Sequence, residues 1–191
     1  ERWSEAAFCF AEAYRLCPQN KRAWHLLSAL MTAHPEILKQ YLNDFIRLDY
    51  KDAIEILQKK GSEIQYGDDL GATDESILVE DFNVPLFVYD YPRKVKAFYM
   101  KENAEDPERV KCADLLAPEG YGEIIGGSQR EESLEKLTEQ IKIQGLPMEP
   151  YEWYLDLRRY GTVVHSGFGL GLERLVCWVC GIKHVRETIP F

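Results

Sequence analysis

Apolar residues recur every three or four positions through the first part of the chain. They are Phe10, Ala13, Tyr14 and Cys17, followed by Trp24, Leu27 and Leu30. This spacing is that of one face of an α-helix. The stretch "CPQN" and the pair His34–Pro35 contain residues that end helices. We therefore predict a helical segment over residues 1–45.

The stretch from Ala13 to Trp24 allows two interpretations. Its pattern resembles the junction between two tetratricopeptide repeats, but a solenoid needs several repeats and the chain has one such junction. Two ordinary helices that belong to the same compact unit as the rest of the chain are favoured over a repeat array.

From about Tyr50 the chain alternates between amphipathic and extended runs. The amphipathic runs predict helices and are "YKDAIEILQKKG", "EESLEKLTEQIKIQG", "EPYEWYLDLRRYG" and "LGLERLVCWVCG". Runs rich in β-branched and aromatic residues predict strands and are "VPLFVYDYP", "VKAFYM", "GYGEIIGGSQR" and "TVVHSGFG". The stretch "YGDDLGATDES" is predicted to be a polar loop, and Gly126–Gly127 a turn at the end of its strand.

The connections between the predicted strands are mostly short or polar and carry no crossover helix. Such connections favour an antiparallel sheet with helices packed against it, which is an α+β fold. We therefore expect two parts: a helical segment over residues 1–45 and an α+β part over residues 46–191.

The composition is that of a globular protein and argues against several classes. Hydrophobic residues make up 46% of the chain and charged residues 29%, so a sizeable core can form. No run of 18 apolar residues predicts a membrane span, and the acidic N-terminus is unlike a signal peptide. Five scattered cysteines indicate free thiols in a reducing, cytoplasmic setting. The net charge of −9 argues against simple electrostatic capture of nucleic acid.

The stretch "HSGFGLGLER" joins a predicted strand to a predicted helix through three glycines. Without a Cβ, Gly167 and Gly169 leave a surface on which a flat ligand such as a purine could lie. Gly171 and Arg174 are three residues apart and share a helix face, so Arg174 points to the ligand on that surface. The alternative is a tight strand-to-helix packing in which Glu173 and Arg174 form a surface pair.

A second candidate site lies in "DLLAPEGYGEIIGGSQREE". Asp114 and Glu123 are expected on neighbouring strands, where two carboxylates could hold Mg²⁺ together with substrate phosphates. Arg130 follows the small residues and could bind a carboxylate or carboxamide oxygen. The alternative is a glycine turn with solvated charges. Asp156, Arg158 and Arg159 in "YLDLRRYG" are interpreted as a structural ion-pair patch.

Three long motifs, in order along the chain, resemble the class II aminoacyl-tRNA synthetases. They are "GEIIGGSQREE", "EWYLDLRRYG" and "HSGFGLGLERLVCWVCGIKHVRETIPF", and "GDDLGATDES", "DYPRKVKAFYM" and "CADLLAP" match the family's intervening segments. The similarity is greatest to the asparaginyl-tRNA synthetases and next to the aspartyl-tRNA synthetases. It implies that residues 46–191 form the C-terminal part of a class II catalytic domain, whereas residues 1–45 match weakly.

The resemblance implies an asparagine–tRNA ligase that uses ATP and Mg²⁺, with asparagine and tRNA(Asn) as the other substrates and a homodimer as the assembly. The implied metal ligands are Asp114 and Glu123. The implied ATP-binding residues are Glu123, Gly171, Leu172, Glu173 and Arg174, of which Glu123 and Arg174 are catalytic. The implied amino-acid-binding residues are Lys96, Tyr99, Gly126 and Arg130.

The chain departs from the family pattern in its missing motifs. The first motif, which builds the family's dimer interface, and the second, with the pattern Phe-Arg-x-Glu, do not occur in it. We therefore expect a partial catalytic domain that is inactive on its own. The alternative is a non-catalytic synthetase-like paralogue or a helical-repeat fusion that acts as an interaction module.

Overall fold

A computed structural model describes residues 45–82 and 84–189. The helical segment predicted over residues 1–45 lies outside the described residues, apart from Phe45. The chain divides into two compact units. The larger comprises residues 47–170, and the smaller comprises residues 1–46 and 171–191.

The larger unit is built on a five-stranded sheet whose strands neighbour one another in chain order. The strands are β1 (Ile46–Asp49), β2 (Leu86–Tyr89), β3 (Cys112–Ala117), β4 (Gly122–Gln129) and β5 (Ser166–Leu170). The pairs β2–β3, β3–β4 and β4–β5 are all antiparallel. The predicted antiparallel sheet flanked by helices is therefore confirmed for these strands.

Four helices accompany the sheet in this unit: α1 (Tyr50–Lys59), α2 (Ala72–Val79), α3 (Leu134–Ile143) and α4 (Glu152–Arg159). Local signals set their starts, since Asp49 accepts from the Lys51 amide at 2.8 Å and Ser133 accepts from the Lys136 amide at 3.2 Å. A 3₁₀ turn, Glu149–Tyr151, leads into α4. Three of these helices were predicted from their apolar periodicity.

Three predictions within this unit are wrong. The stretch "ATDES" is not loop, because it begins α2. The run "VKAFYM" is not a strand: Arg93–Val95 form a 3₁₀ turn, and Phe98 packs in a helical core instead of a sheet. Gly126 and Gly127 do not form a turn, because both lie inside β4.

Two groups of buried residues stabilise the larger unit. One lies around α3 and α4 and contains Phe98, Leu137, Ile141 and Leu155. The other includes the fully buried side chains of Tyr50, Leu57, Leu78, Leu86 and Leu116, from the sheet and from α1 and α2. In the described part of the chain, no helix is long and apolar enough to cross a membrane.

The smaller unit contributes helix α5 (Leu172–Cys180) and a 3₁₀ turn, Val185–Thr188. Gly171 precedes α5, and its carbonyl accepts from the Leu175 amide at 2.9 Å. Gly181 ends the helix in the left-handed conformation, with φ of 62°, which explains why a glycine stands there. The predicted helix over this stretch is confirmed.

Candidate active site

One face of the sheet carries two cross-strand rows of small and polar residues. Val88, Asp114, Gly126 and Gly169 stand opposite one another on β2 to β5, and Cys112, Ser128 and Gly167 form the next row. Residues directly opposite in antiparallel strands point to the same face. Among the described residues, no atom lies within 4 Å of where a Cβ of Gly169 would stand. The surface predicted at the strand glycines is therefore not covered at Gly169 by this part of the chain.

Glu123 joins this face through an irregularity in β4. The register shifts between the pairs Leu115↔Ile125 and Leu116↔Glu123, so that Ile124 is an extra residue on β4. The Glu123 carboxylate then lies over Gly126, where a Cβ would stand 2.5 Å from Glu123 Oε1 and 3.3 Å from Asp114 Oδ1. The structure thus brings together the two carboxylates predicted to share a site.

Lys96 occupies the other side of the Asp114 carboxylate. Its Nζ lies 2.8 Å from Asp114 Oδ2, 3.3 Å from Asp69 Oδ1 and 3.8 Å from the centre of the Tyr91 ring. Burial lowers the pKa of Lys96, but the carboxylates of Asp114 and Asp69 outweigh this and raise it above its ordinary value. Lys96 is therefore a largely buried cation that pairs with Asp114 and holds its carboxylate in place.

Arg130 lies just past the end of β4, with its guanidinium held on three sides. Its Nη1 donates to the hydroxyl of Ser128, and its Cζ lies 4.6 Å from the centre of the Tyr99 ring. A Cβ at Gly167 would stand 2.9 Å from Arg130 Nη2. Among the described residues, no acidic side chain forms a salt bridge with Arg130. A half-buried cation in this setting suits an oxygen ligand from a substrate.

The predicted ATP-binding residues Gly171, Leu172, Glu173 and Arg174 lie in the smaller unit, at the start of α5. The stem of Arg174 packs over Gly171, with its Cβ 3.5 Å from where a Gly171 Cβ would be. Gly171 and Arg174 thus share a helix face, as their spacing predicts. The side chains of Leu172 and Arg174 are exposed.

Two buried polar residues support the site and were not predicted to do so. Glu75 of α2 is 8% exposed, and its Oε2 accepts from the backbone amide of Glu123 at 3.0 Å. Ser128 is 6% exposed and binds Arg130. The signal for Ser128 was its place two residues before Arg130 on a strand, which puts both on one face. The sequence does not indicate a role for Glu75, because the pattern of "YGDDLGATDES" predicts a polar loop there.

The donor atoms fit a hard cation that completes its shell with a substrate. Asp114 and Glu123 offer two carboxylates at one point over Gly126, and Mg²⁺ is usually held by one or two carboxylates together with phosphate oxygens. Within residues 45–82 and 84–189, no cluster of three or more acidic, histidine or cysteine side chains could hold a metal ion. The residues present therefore fit a metal shared with phosphates rather than one enclosed by protein.

The sequence matches one family over nearly its whole length. The family described as tRNA synthetases class II (D, K and N) matches residues 10–191. The asparagine–tRNA ligase of Thermococcus gammatolerans is 60% identical over 154 residues, which are 81% of this chain and 36% of that protein. The chain thus spans little more than a third of the length of this curated relative.

Solved structures of asparaginyl-tRNA synthetase are among those that share this fold. The crystal structure of asparaginyl-tRNA synthetase from Pyrococcus horikoshii matches with a TM-score of 0.75 and 49% identity, over 86% of this chain and 41% of that chain. The same enzyme in complex with asparaginyl-adenylate matches with a TM-score of 0.74 and 49% identity, with the same coverage. The resemblance drawn from the motifs is confirmed.

Proposed function

The chain belongs to the class II tRNA synthetases of the D, K and N group, and we propose that the protein carrying it is an asparagine–tRNA ligase. The observation that carries this proposal is the convergence of Asp114 and Glu123 over Gly126, on the sheet face where Arg130 is held. That face offers carboxylates for a metal–phosphate group, and beside them a cation for a short polar side chain. The relatives that share this sequence are named for asparagine.

The proposed reaction joins asparagine to ATP and then to tRNA. The asparagine carboxylate attacks the α-phosphorus of ATP, and pyrophosphate leaves. A hydroxyl of the terminal ribose of tRNA(Asn) then attacks the acyl carbon of the adenylate, and AMP leaves. The protein contributes mainly by positioning the reactants and by offsetting charge on the phosphates. The P. horikoshii structure, which contains asparaginyl-adenylate, supports the first of these steps.

Arg130 is proposed to bind the side-chain oxygen of asparagine. Its Nη1 is already engaged by Ser128, and the Tyr99 ring and Gly167 limit the directions in which the rest of the fork can donate. The Cβ of any residue larger than Gly126 would meet the carboxylates of Asp114 and Glu123. Glycine at this position therefore leaves room for both carboxylates and for the substrate beside them. Lys96 acts in the pocket by pairing with Asp114 and holding its carboxylate in place.

Asp114 and Glu123 are proposed to hold Mg²⁺ with the ATP phosphates. When bound, the ion supplies positive charge that offsets the negative charge of the phosphates. The residues of this chain prepare that position. Lys96 binds Asp114 Oδ2, and Asp114 Oδ1 lies near the same point over Gly126 as Glu123 Oε1. Glu75 fixes the backbone of Glu123.

Gly171, Leu172, Glu173 and Arg174 are proposed to bind ATP, with Arg174 stacking on adenine or meeting a terminal phosphate. The support is local: Arg174 projects from the first turn of α5, and its stem covers the bare backbone of Gly171. A planar guanidinium can serve either role. We further propose that residues 46–191 are the C-terminal part of a catalytic domain and that the whole protein is a cytoplasmic homodimer. The free thiols of the described cysteines support only the reducing compartment.

Pyrophosphate exchange with ATP tests this function directly. The full-length protein carrying this sequence should incorporate labelled pyrophosphate into ATP in the presence of asparagine and Mg²⁺, and much less with aspartate. It should then charge tRNA(Asn). The isolated 191-residue chain, which lacks the Phe-Arg-x-Glu pattern, should not. A full-length protein that binds neither ATP nor asparagine would instead support the non-catalytic alternative.

A further inference from the structure

Arg158 is a buried cation whose contacts lead to Arg130. Arg158 is only 7% exposed, and no carboxylate in the described part of the chain forms a salt bridge with its guanidinium. The predicted ion-pair patch is therefore wrong for Arg158 but correct for its neighbour, since Arg159 pairs with Asp156 and Glu152. Burying a guanidinium is costly unless it is hydrogen-bonded, and the Arg158 guanidinium donates to Glu131 O, Tyr154 O and Tyr154 Oη.

The first contact of Arg158 is with the backbone beside Arg130. Arg158 Nε donates to the carbonyl of Glu131 at 3.0 Å. The amide of Glu131 donates to the carbonyl of Tyr99 at 3.0 Å, and the amide of Arg130 donates to the carbonyl of His165, also at 3.0 Å. Arg158 thus helps to fix the backbone from which the Arg130 side chain extends.

The second contact is with the aromatic support under Arg130. Arg158 Nη2 donates to the Tyr154 hydroxyl at 2.9 Å, and its Cζ lies 4.1 Å from the centre of the Tyr154 ring. The Tyr154 ring meets the Tyr99 ring edge-on, with centres 6.3 Å apart. Tyr99 in turn carries the Arg130 guanidinium on its face.

We propose that Arg158 is a positioning residue for Arg130, acting through the carbonyl of Glu131 and through the edge-on contact between the rings of Tyr154 and Tyr99. This inference rests on the proposed function, because it assigns Arg158 to asparagine binding through Arg130. The rings and the backbone hold the guanidinium fork in one direction. Loss of either support lets the fork turn away from the substrate oxygen.

The test uses the full-length protein and pyrophosphate exchange with asparagine and ATP varied separately. Arg158→Met keeps a long apolar stem but removes every donor, and we expect the KM for asparagine to rise about tenfold or more, since small misplacements of a binding group are costly. The KM for ATP should change less than about threefold. The matched control Arg159→Met removes an exposed ion pair and should leave both unchanged.

A double variant separates positioning from general loss of structure. In an Arg130→Ala background, Arg158→Met should add little to the KM for asparagine, because the group that it positions is gone. If Arg158→Met lowers stability too far, Tyr154→Phe removes only the hydroxyl that accepts from Nη2 and should raise the same KM in the same direction.

Three results would overturn either the positioning role or the proposed function. An unchanged KM for asparagine in Arg158→Met or, where that variant does not fold, in Tyr154→Phe overturns the positioning role while the wild-type protein remains an asparagine–tRNA ligase. Fully additive effects of Arg158→Met and Arg130→Ala overturn it as well. Wild-type protein without asparagine-dependent exchange overturns the proposed function itself.

Discussion

Glu123 and Gly126 lie three residues apart on β4 and nevertheless share one face of the sheet. In a regular strand, residues three apart point to opposite faces. The extra residue Ile124 reverses this parity, so that Glu123 Oε1 lies 2.5 Å from the place of a Gly126 Cβ. The bulge therefore brings Glu123 beside Asp114, which stands opposite Gly126.

Replacing Gly126 by alanine should damage the site more than the fold. The new Cβ would meet the flexible end of the Glu123 side chain, which can move aside. Alanine also lowers the conformational entropy of the unfolded chain, which stabilises the folded state by about 0.4–1 kcal/mol. We expect little change in thermal unfolding, a higher Mg²⁺ requirement, and a loss of about tenfold or more in kcat/KM for pyrophosphate exchange. In a Glu123→Ala background the same change should cost little. An unaltered Mg²⁺ dependence in Gly126→Ala would mean that the position of Glu123 does not matter.

Glu75 should contribute to stability through the backbone of the bulge. Glu75→Ala leaves the amide of Glu123 without its acceptor in a largely buried place, which costs about 1–3 kcal/mol of unfolding free energy. Glu75→Gln keeps an acceptor of the same reach and should cost clearly less. Urea unfolding of both variants measures the difference. Equal losses in the two variants would show that the hydrogen bond to Glu123 is not what Glu75 provides.

The sequence predicts the elements of this fold better than the contacts of its site. Helices α1, α3 and α4 follow from periodicity and glycine or capping signals, which are local. The strand predicted at "VKAFYM" fails because Phe98 packs with Leu137 and Ile141, a tertiary contact that overrides β propensity. Helix α2 was missed because its apolar residues, from Ile77 on, lie at its end and give no period.

The candidate site was predicted through its residue types rather than its geometry. Asp114, Glu123 and Arg130 stood out because carboxylates and a guanidinium next to glycines suit metals and anions. The bulge that places Glu123 could not be predicted, because the apolar residues of β4 are only the adjacent pair Ile124 and Ile125, which shows no alternation from which a register could be read. The support from Arg158 could not be predicted either, since it runs through Tyr154 and Tyr99 from another element.

Asp90 should make the unfolding free energy depend on pH. Burial raises the pKa of this carboxyl and outweighs the Arg109 guanidinium, which lowers it. The pKa of Asp90 is higher in the folded protein than its value of 3.8 in the unfolded chain. In the pH window between these two pKa values the folded protein therefore binds more protons than the unfolded chain does. The contribution of Asp90 to stability therefore falls as the pH rises through that window.

Asp90→Asn removes the charge and should flatten this part of the pH profile. Asparagine also tolerates the left-handed backbone at this position, where φ is 59°, so the variant should unfold at an equal or higher temperature than wild type at pH 7. Asp90→Ala also removes the charge, but the left-handed backbone at this position should lower its unfolding free energy by roughly 1–2 kcal/mol. Thermal unfolding of the three proteins between pH 4 and pH 7 decides the matter. An Asn variant that is less stable at pH 7 would contradict the raised pKa.

Arg130 and Arg174 should affect different substrates. Arg130 is held by Ser128 and Tyr99 on the sheet face beside the paired carboxylates, with no salt bridge to any acid among the described residues, so its free donors suit a short polar side chain. Arg174 extends from the first turn of α5 over bare glycine backbone, which suits a flat or phosphorylated ligand. Losing one charge-assisted hydrogen bond costs about 1.5–3 kcal/mol, or roughly tenfold to a hundredfold in apparent affinity or rate.

Steady-state kinetics of the full-length protein, with asparagine and ATP varied separately, measure this division. Arg130→Ala should raise mainly the KM for asparagine, and Arg174→Ala should impair mainly the use of ATP. Arg159→Ala removes an exposed arginine whose ion pairs lie outside the site and serves as the control. If Arg130→Ala left the dependence on asparagine unchanged while raising the KM for ATP, the two assignments would be reversed. Arg130 would then belong to the phosphate side of the site, and another residue would have to bind the carboxamide.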